Sequence, residues 1–101
     1  NVDWILSSDE NAHHCKLEKL QARAGYALCR QSEKGETLQA FLGNGTQLEA
    51  DGVSIRTDAP ADVLLLKQDG KWMYTATAPC RVVVGKKKYT LSATNVLTSL
   101  K

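Results

Sequence analysis

The strongest constraint in this sequence is an Asp-Gly pair between two strand-like segments. Residues 62–67 (DVLLLK) contain a compact apolar run of strand length, and residues 72–77 (WMYTAT) follow the pair Asp69-Gly70. Asp and Gly both tolerate the positive φ that a type I′ turn requires, and the twist of this turn matches that of its flanking strands. The pattern therefore predicts an antiparallel hairpin.

Turn signals of the same kind recur at intervals of about 8–12 residues, which is the spacing expected of a β-sandwich or barrel. Alternating or β-branched segments lie between them, such as residues 53–57 (VSIRT) and 80–84 (CRVVV). We therefore predict an all-β, antiparallel β-sandwich of about eight to ten short strands joined by hairpins. The triplet Asn44-Gly45-Thr46 is an N-glycosylation sequon, which we interpret first as a turn. Further turns or loops are predicted at residues 43–45, 51–52, 58–60 and 85–86.

The first third of the chain allows two interpretations. Residues 16–23 (KLEKLQAR) are good helix formers with leucines at helical spacing, which favours a short helix there. The competing interpretation places one strand over residues 14–20 and another over residues 25–30. We prefer the two strands, because the Cys, Tyr and Leu content of the second segment suits a sheet. Residues 2–6 are predicted to form a strand that carries Trp4.

Length and charge narrow the class of protein. With 101 residues, the chain is predicted to form a single domain over residues 1–101. The formal net charge of +2 is too small to indicate a nucleic-acid-binding protein. No apolar run approaches the ~18 residues of a transmembrane helix, so no membrane partner is predicted. Because the chain begins with Asn1 and shows no signal peptide, we expect a domain excised from a larger protein.

The cysteines do not predict a disulfide framework. Their number, three, is odd, and the CxxC spacing of zinc ribbons is absent. We interpret Cys15, Cys29 and Cys80 as reduced, buried, small hydrophobic residues. The alternative is one disulfide and one free thiol, with Cys15–Cys29 as the first pair to test.

His13, His14 and Cys15 are the most suggestive group of potential metal ligands. On a strand, His13 and Cys15 point to one side and His14 to the other. Their spacing matches no known chelating pattern, so they are weak candidates, and no metal or other cofactor is predicted. The sequence also lacks the GxSxG, GxxxxGK[ST] and GxGxxG motifs. We therefore predict no enzymatic activity for this domain.

Two features offer a surface for binding carbohydrate. Lys86, Lys87 and Lys88 form a basic tip on the last predicted hairpin, which suits a sulfated or uronic-acid glycan. A solvated turn that protects a sheet edge is the commoner explanation of such a tip. Trp4 and Trp72 are the two tryptophans of the chain. An exposed tryptophan can stack on a sugar ring, whereas one that alternates in a strand more often belongs to the core.

Short stretches of the chain resemble a known enzyme family. Residues 2–8 (VDWILSS) resemble the strand W-x-L-H-S in the C-terminal β-sheet region of heparinase II/III-type polysaccharide lyases. Residues 61–70 resemble the apolar strand and Asp-Gly hairpin of the β-sandwich modules in those enzymes. Ser7 stands where a histidine is usual, so the role of that histidine does not transfer. The catalytic tyrosine and histidine of the family lie largely on a helical toroid and the adjoining sheet domain, and this sequence contains no toroid.

The resemblance implies a non-catalytic accessory β-sandwich module of a bacterial, polysaccharide-processing protein that is exported to the periplasm or beyond the cell. The implied partners are the catalytic domain of the parent chain and acidic polysaccharide. An Ig-like protein-interaction or structural domain is the alternative, and a small metal-binding domain is a second one. The expected glycan contacts are Trp4, Trp72, Lys86, Lys87 and Lys88.

Overall fold

The computed structural model describes the backbone of residues 3–7, 12–13 and 21–100 and the side chains of residues 22–100. These residues contain nine β-strands and no helix. The less favoured interpretation, a short helix over residues 16–23, is not seen: residues 21–23 belong to a strand, and residues 16–20 lie outside the described residues. The preferred strand over residues 25–30 is confirmed as part of a longer strand. Nothing in the described part of the chain is a helix with the length and apolar character to cross a membrane. The strands are β1 (Asp3–Ser7), β2 (Ala12–His13), β3 (Gln21–Gln31), β4 (Thr37–Ala50), β5 (Val53–Gln68), β6 (Lys71–Ala76), β7 (Cys80–Val84), β8 (Lys87–Leu91) and β9 (Thr94–Ser99).

The described strands all pair in antiparallel fashion within one sheet. The main order is β1-β3-β4-β5-β6-β9, while β2 pairs with β3, β7 with β5, and β8 with β7. The all-β, antiparallel prediction is confirmed, although the pairing does not divide these strands into two separate sheets. β3, β4 and β5 have 11, 14 and 16 residues, so they are much longer than the predicted short strands.

The Asp69-Gly70 hairpin is confirmed as the connection between β5 and β6. Asp69 has a φ of 53° and Gly70 a φ of 79°, the positive values that a type I′ turn requires. Gly85, with a φ of 62°, turns the chain from β7 to β8 as predicted. At these positions the residue types themselves favour the turn conformation.

Strand β5 is shared between two halves of the sheet. Residues 53–57 pair with β7, and residues 63–68 pair with β6. Gly45 of β4 pairs with Ala61 and Gln47 pairs with Arg56, so an advance of two residues along β4 faces five residues along β5. Strand β5 therefore has three additional residues here: residues 58–60, predicted as a loop, stay within the strand but have no register partners in β4. We call this segment the β5 corner, and it is the point at which β5 changes partners.

A buried threonine fixes the β5 corner. Thr57 is buried, and its Oγ1 lies 3.0 Å from the carbonyl oxygen of Gly45 and 2.8 Å from that of Ala59. The hydroxyl donates its proton towards these two oxygens, one in β4 and one in the corner itself. A buried carbonyl oxygen without a hydrogen-bond donor lowers the stability of the folded state. By donating to these oxygens, the Thr57 hydroxyl stabilises the place where β5 separates from β4.

Residues 43–45 do not form the predicted turn. Strand β4 runs through them with an irregular register against β5, and Asn44 has a φ of 49°. A Cβ atom at Gly45 would lie 2.4 Å from Cβ of Ala24 and 2.7 Å from the carbonyl oxygen of Arg23. The glycines therefore mark a β-bulge and a close approach of two strands, and the strand does not end there.

Both halves of the sheet bury side chains in one hydrophobic core. Ile55 and Val82 enter it from the half that contains β7, and Val63 and Leu65 enter it from the half that contains β6. Full burial of each such side chain contributes about 1.5–3 kcal/mol. The shared core therefore fixes which face of each strand is outward. The largest fully buried side chains are Leu42, Leu48, Ile55, Leu65, Val63 and Val82, together with Cys29 and Cys80.

The role of Thr57 can be tested with Thr57→Val, which keeps the side-chain shape and removes the hydroxyl. We expect the free energy of unfolding to fall by about 1–3 kcal/mol, because two carbonyls lose their shared donor. Urea denaturation followed by circular dichroism measures the change. Thr90→Val, at an exposed position of β8, is the control and should change stability by less than about 0.5 kcal/mol. Equal effects of the two variants would contradict this role.

The close approach at Gly45 predicts that Gly45→Ala lowers the free energy of unfolding by about 1–3 kcal/mol, because the new methyl group overlaps Ala24. Gly25→Ala is the matched control on the facing strand, since the nearest atom to a Cβ there is 3.3 Å away. We expect the control to cost clearly less in the same denaturation experiment. A larger loss in Gly25→Ala would show that the approach at Gly45 is not the limiting one.

Candidate functional site

The structure describes the side chains of Trp72, Lys86, Lys87 and Lys88 among the residues predicted to contact glycan. Trp4 lies in β1, and its side chain is outside the described residues. Trp72 of β6 is half-buried and packs against the core. Residues 86–88 are exposed in the β7–β8 hairpin. Trp72 is thus neither a fully buried core residue nor a fully exposed platform.

The three lysines of the predicted basic tip point in different directions. Lys88 lies opposite Val83, and Lys87 lies opposite Val84, which packs against the core. Because side chains alternate along a strand, Lys88 is on the outer face and Lys87 is on the inner side. Lys86 precedes β8 in the turn. Of these three lysines, only Lys88 joins the cations of the outer face.

The outer face of β5, β7 and β8 carries a group of cations from separate strands. Arg56 of β5 and Arg81 of β7 are direct cross-strand partners, and Lys88 of β8 lies on the same face. Their chain neighbours Ile55 and Val82 are buried, so alternation directs the two arginines towards solvent. All three cations border a shallow cavity of about 300 Å³. We call Arg56, Arg81 and Lys88 the basic face.

Two carboxylates accompany the arginines. Nη2 of Arg81 lies 3.1 Å from Oδ1 of Asp58, and Nη2 of Arg56 lies 3.7 Å from Oε2 of Glu49. All four side chains are about half exposed or more, so each pair contributes only about 0.2–1 kcal/mol. With Lys88 as a third cation, the group keeps a net positive charge, and its carboxylates are weakly held.

A larger cleft of about 490 Å³ opens where three turns meet at one end of the sheet. Its walls come from the loop after β3, the turn at residues 51–52 and the turn that contains Gly85. Lys67 and Trp72, which are cross-strand partners in the β5–β6 hairpin, lie between these walls. We call this the end cleft. Trp72, one of the predicted glycan contacts, is part of its lining.

Hydrogen bonds between the turns hold the walls of the end cleft. Oγ1 of Thr37 donates to the carbonyl oxygen of Asp51 at 2.7 Å. The Gly85 N–H donates to the carbonyl oxygen of Gly52 at 2.8 Å. Within the loop after β3, the Ser32 hydroxyl accepts two backbone N–H groups at 3.3 and 3.2 Å. The cleft is therefore formed before any ligand arrives.

The charges that line the end cleft are balanced. Lys34 and Lys67 are its cations, and Glu36 and Asp51 are its anions. Nζ of Lys67 lies 3.1 Å from Oε2 of Glu36. In contrast with the basic face, this cleft carries no net formal charge and therefore gives no long-range preference for an anion.

The described cysteines are free thiols. Cys29 and Cys80 are both buried, in agreement with the reduced state predicted for them, and Cys15 lies outside the described residues. Burial raises the pKa of both thiols above the ordinary value of 9.0; a hydrogen bond from Thr37 opposes this at Cys29, and the Arg81 charge opposes it at Cys80. An enclosed, protonated thiol is a poor nucleophile, so neither thiol supports covalent catalysis.

The metal candidates lie almost wholly beyond what the structure describes. His13 is placed in β2 by its backbone alone, and residues 14–15 are outside the described residues. Among the residues that are described, no group of three or more His, Cys, Asp or Glu side chains is arranged to hold a metal ion. Elemental analysis of the purified protein for zinc and copper tests whether His13, His14 and Cys15 bind a metal ion.

Comparisons with known protein families, curated proteins and solved structures found no match to this chain. The resemblance of residues 2–8 and 61–70 to heparinase II/III-type lyases therefore stays a prediction. Sequence reasoning missed Arg56, because only the pairing of β5 with β7 places it beside Arg81. It also missed the charged walls around Trp72, which come from turns that are distant in sequence.

The buried thiols predict a pH dependence of stability. Because folding raises the pKa of Cys29 and Cys80, the unfolded chain loses these protons first as pH rises. Their contribution is fully present below the ordinary pKa of 9.0 and is lost above it. We expect the free energy of unfolding, measured in urea under reducing conditions, to fall between about pH 8 and about pH 10.

The control for this pH dependence is the double variant Cys29→Ala/Cys80→Ala. Tyr74, whose pKa is raised by burial and also by the charge of Cys80, remains in both proteins, and removal of Cys80 makes its part of the slope smaller as well. The variant should therefore lose less stability over the same pH interval, whatever its stability at neutral pH. Identical slopes would show that the two thiols stay solvent-accessible.

Proposed function

We propose that this chain is a non-catalytic accessory module of a polysaccharide-processing, lyase-like protein and that its basic face contacts acidic glycan. In this proposal the continuous sheet is folded over its shared core as a β-sandwich, which supports the catalytic domain of the parent chain. The exported, bacterial setting is part of the same proposal, and it rests on the lyase-like segments at residues 2–8 and 61–70.

The observation that carries the proposal is the direct opposition of Arg56 and Arg81. Like charges directly opposite each other on an antiparallel pair are unfavourable, and exposed pairs with Glu49 and Asp58 offset this only weakly. A sulfate or carboxylate between two guanidinium groups relieves the repulsion and accepts charge-assisted, bidentate hydrogen bonds. The position therefore suits an anionic group of a ligand.

The cations continue in a row that crosses the strands. Arg23, Gln47, Arg56, Arg81 and Thr90 are consecutive cross-strand partners on β3, β4, β5, β7 and β8. Neighbouring strands lie about 4.8 Å apart, so the distance across the sheet from Arg23 to Arg81 is about 14 Å. A polymer that carries anionic groups at intervals contacts both Arg23 and Arg81, whereas a small anion reaches only one of these two arginines. The row therefore favours a polysaccharide over a free ion.

The test is an NMR titration of the ¹⁵N-labelled chain with heparin, chondroitin sulfate and alginate. We expect shifts at Ser54, Arg56, Arg81 and Lys88, and an affinity that falls as salt is added, because the contacts are exposed charges. Unchanged spectra at millimolar glycan would remove direct glycan binding and leave only the supporting role.

Two double variants sharpen this titration. Arg56→Gln/Arg81→Gln should weaken binding at least about tenfold, because charge-assisted hydrogen bonds are lost. Lys34→Gln/Lys71→Gln removes the same number of positive charges from exposed positions outside the basic face. If both variants weaken binding equally, the glycan responds to net charge alone and the basic face has no special role.

The alternative, an Ig-like interaction domain, has one observation in its favour. Strand β9 stands at the end of the described strand order, contains no charged residue and exposes Val96 at 66%. The Val96 N–H donates to Oγ1 of Thr94 at 3.2 Å, and Oγ1 of Thr98 donates to the Val96 carbonyl at 2.6 Å. These side chains engage backbone groups that an added strand would need, and β9 is irregular against β6. Strand addition is therefore less well supported than glycan contact.

A further inference from the structure

We propose that the end cleft is a second binding site, which takes an uncharged hexopyranose ring against Trp72. This inference goes beyond contact with acidic glycan at the basic face, because the two cavities share no lining residue and differ in charge. The end cleft is also the larger of the two, and its volume of about 490 Å³ falls within the range of about 300–1,000 Å³ that is usual for ligand pockets.

Trp72 is held in place on one side and lines the cleft on the other. It packs against the core, and its backbone carbonyl accepts the Leu100 N–H at 3.1 Å. A side chain that packing already fixes loses little conformational entropy when a ligand binds. The part of the indole that faces the cleft offers a flat, apolar, polarisable surface, which suits the C–H face of a pyranose.

The polar walls suit hydroxyl groups better than a charged ligand. The Lys67–Glu36 pair, with 3.1 Å between Nζ and Oε2, places a donor beside an acceptor, and Lys34 and Asp51 add a further donor and a further acceptor to the lining. A sugar hydroxyl both donates and accepts, so it can bond to either member of such a pair. An anionic sugar would instead meet the carboxylates of Glu36 and Asp51 and gain no net attraction.

The walls are also positioned before binding. Hydrogen bonds from Thr37 to Asp51 and from Gly85 to Gly52 join the start of β4, the β4–β5 turn and the β7–β8 turn. The ligand therefore does not have to order these turns, which lowers the entropic cost of binding a weak, neutral ligand. Aromatic surface, paired donors and acceptors, and a preformed cavity together point to a neutral sugar.

The experiment titrates the ¹⁵N-labelled full chain with cellohexaose, mannohexaose and laminarihexaose, each to about 10 mM, which detects dissociation constants in the millimolar range. We expect at least one of them to shift the Trp72 indole N–H and the amides of Glu36, Gly52 and Gly85. No shift with any of the three, or shifts at the end cleft with alginate alone, would overturn the proposal. The proposal would also be overturned if glycine betaine, a zwitterion, shifted these signals and no sugar did.

Matched variants separate this proposal from the acidic-glycan proposal. Glu36→Gln keeps the shape of the wall and should weaken neutral-sugar binding about fivefold, because one acceptor is lost. Arg56→Gln/Arg81→Gln should leave neutral-sugar binding unchanged and weaken only heparin binding. Trp72→Leu should abolish the response to sugar. Because Trp72 contacts the core, the fold of this variant is checked by circular dichroism. If the variant does not fold, Glu36→Gln decides the outcome. Equal neutral-sugar affinity of wild type and Glu36→Gln would contradict the assigned wall.

Discussion

Strand β5 is bonded to β4, β6 and β7, and the rest of the structure depends on where it changes from one partner to the next. The change happens at the β5 corner, where three residues leave the ladder and the Thr57 hydroxyl bridges two carbonyl oxygens. Gly45 contributes the other condition, because only a residue without a side chain allows β4 to approach β3 so closely at that level. Backbone hydrogen bonding and steric exclusion thus act at the same place to determine the path of the longest strand.

Both candidate surfaces follow from this change of partners. Before the corner, pairing with β7 puts Arg56 beside Arg81 on the outer face. After the corner, pairing with β6 puts Lys67 beside Trp72, at the end where the β4–β5 and β7–β8 turns meet. The two surfaces then differ in electrostatics: the basic face keeps a net positive charge, whereas the end cleft has as many anions as cations in its lining. With a different register of β5, Arg56 would no longer face Arg81 and Lys67 would no longer face Trp72.

Local chemistry explains which parts of the fold were predictable. The Asp69-Gly70 hairpin and the Gly85 turn were identified correctly, because positive φ is a property of the residue types at the turn itself. The segment 43–45 was misread as a strand end, because a glycine required for φ and a glycine required for close approach look the same in a sequence. Ala24, the residue that decides between them, lies on another strand. The lengths of β3, β4 and β5 were likewise underestimated, since bulges were counted as breaks.

The candidate sites were less predictable than the fold for a related reason. A row such as Arg56 and Arg81 exists only once the register between two non-consecutive strands is known, and that register depends on the residues that leave the ladder before it. Conversely, Lys86, Lys87 and Lys88 are adjacent in sequence, yet strand alternation sends Lys87 and Lys88 to opposite sides. Adjacency along a strand is therefore a poor guide to a shared surface, and adjacency across strands is a good one.

The sharing of β5 also has a consequence for how the molecule comes apart. If β5 detaches, the ladders to β4, β6 and β7 are lost together, and the core loses Ile55, Val63 and Leu65 in the same event. The β7–β8 and β6–β9 pairs would each remain as two strands, which are marginally stable at best, so the strands on both sides of the corner depend on β5 together. We therefore expect slowly exchanging amides in β4 and β5 on both sides of the β5 corner. These amides should exchange only when the whole domain unfolds.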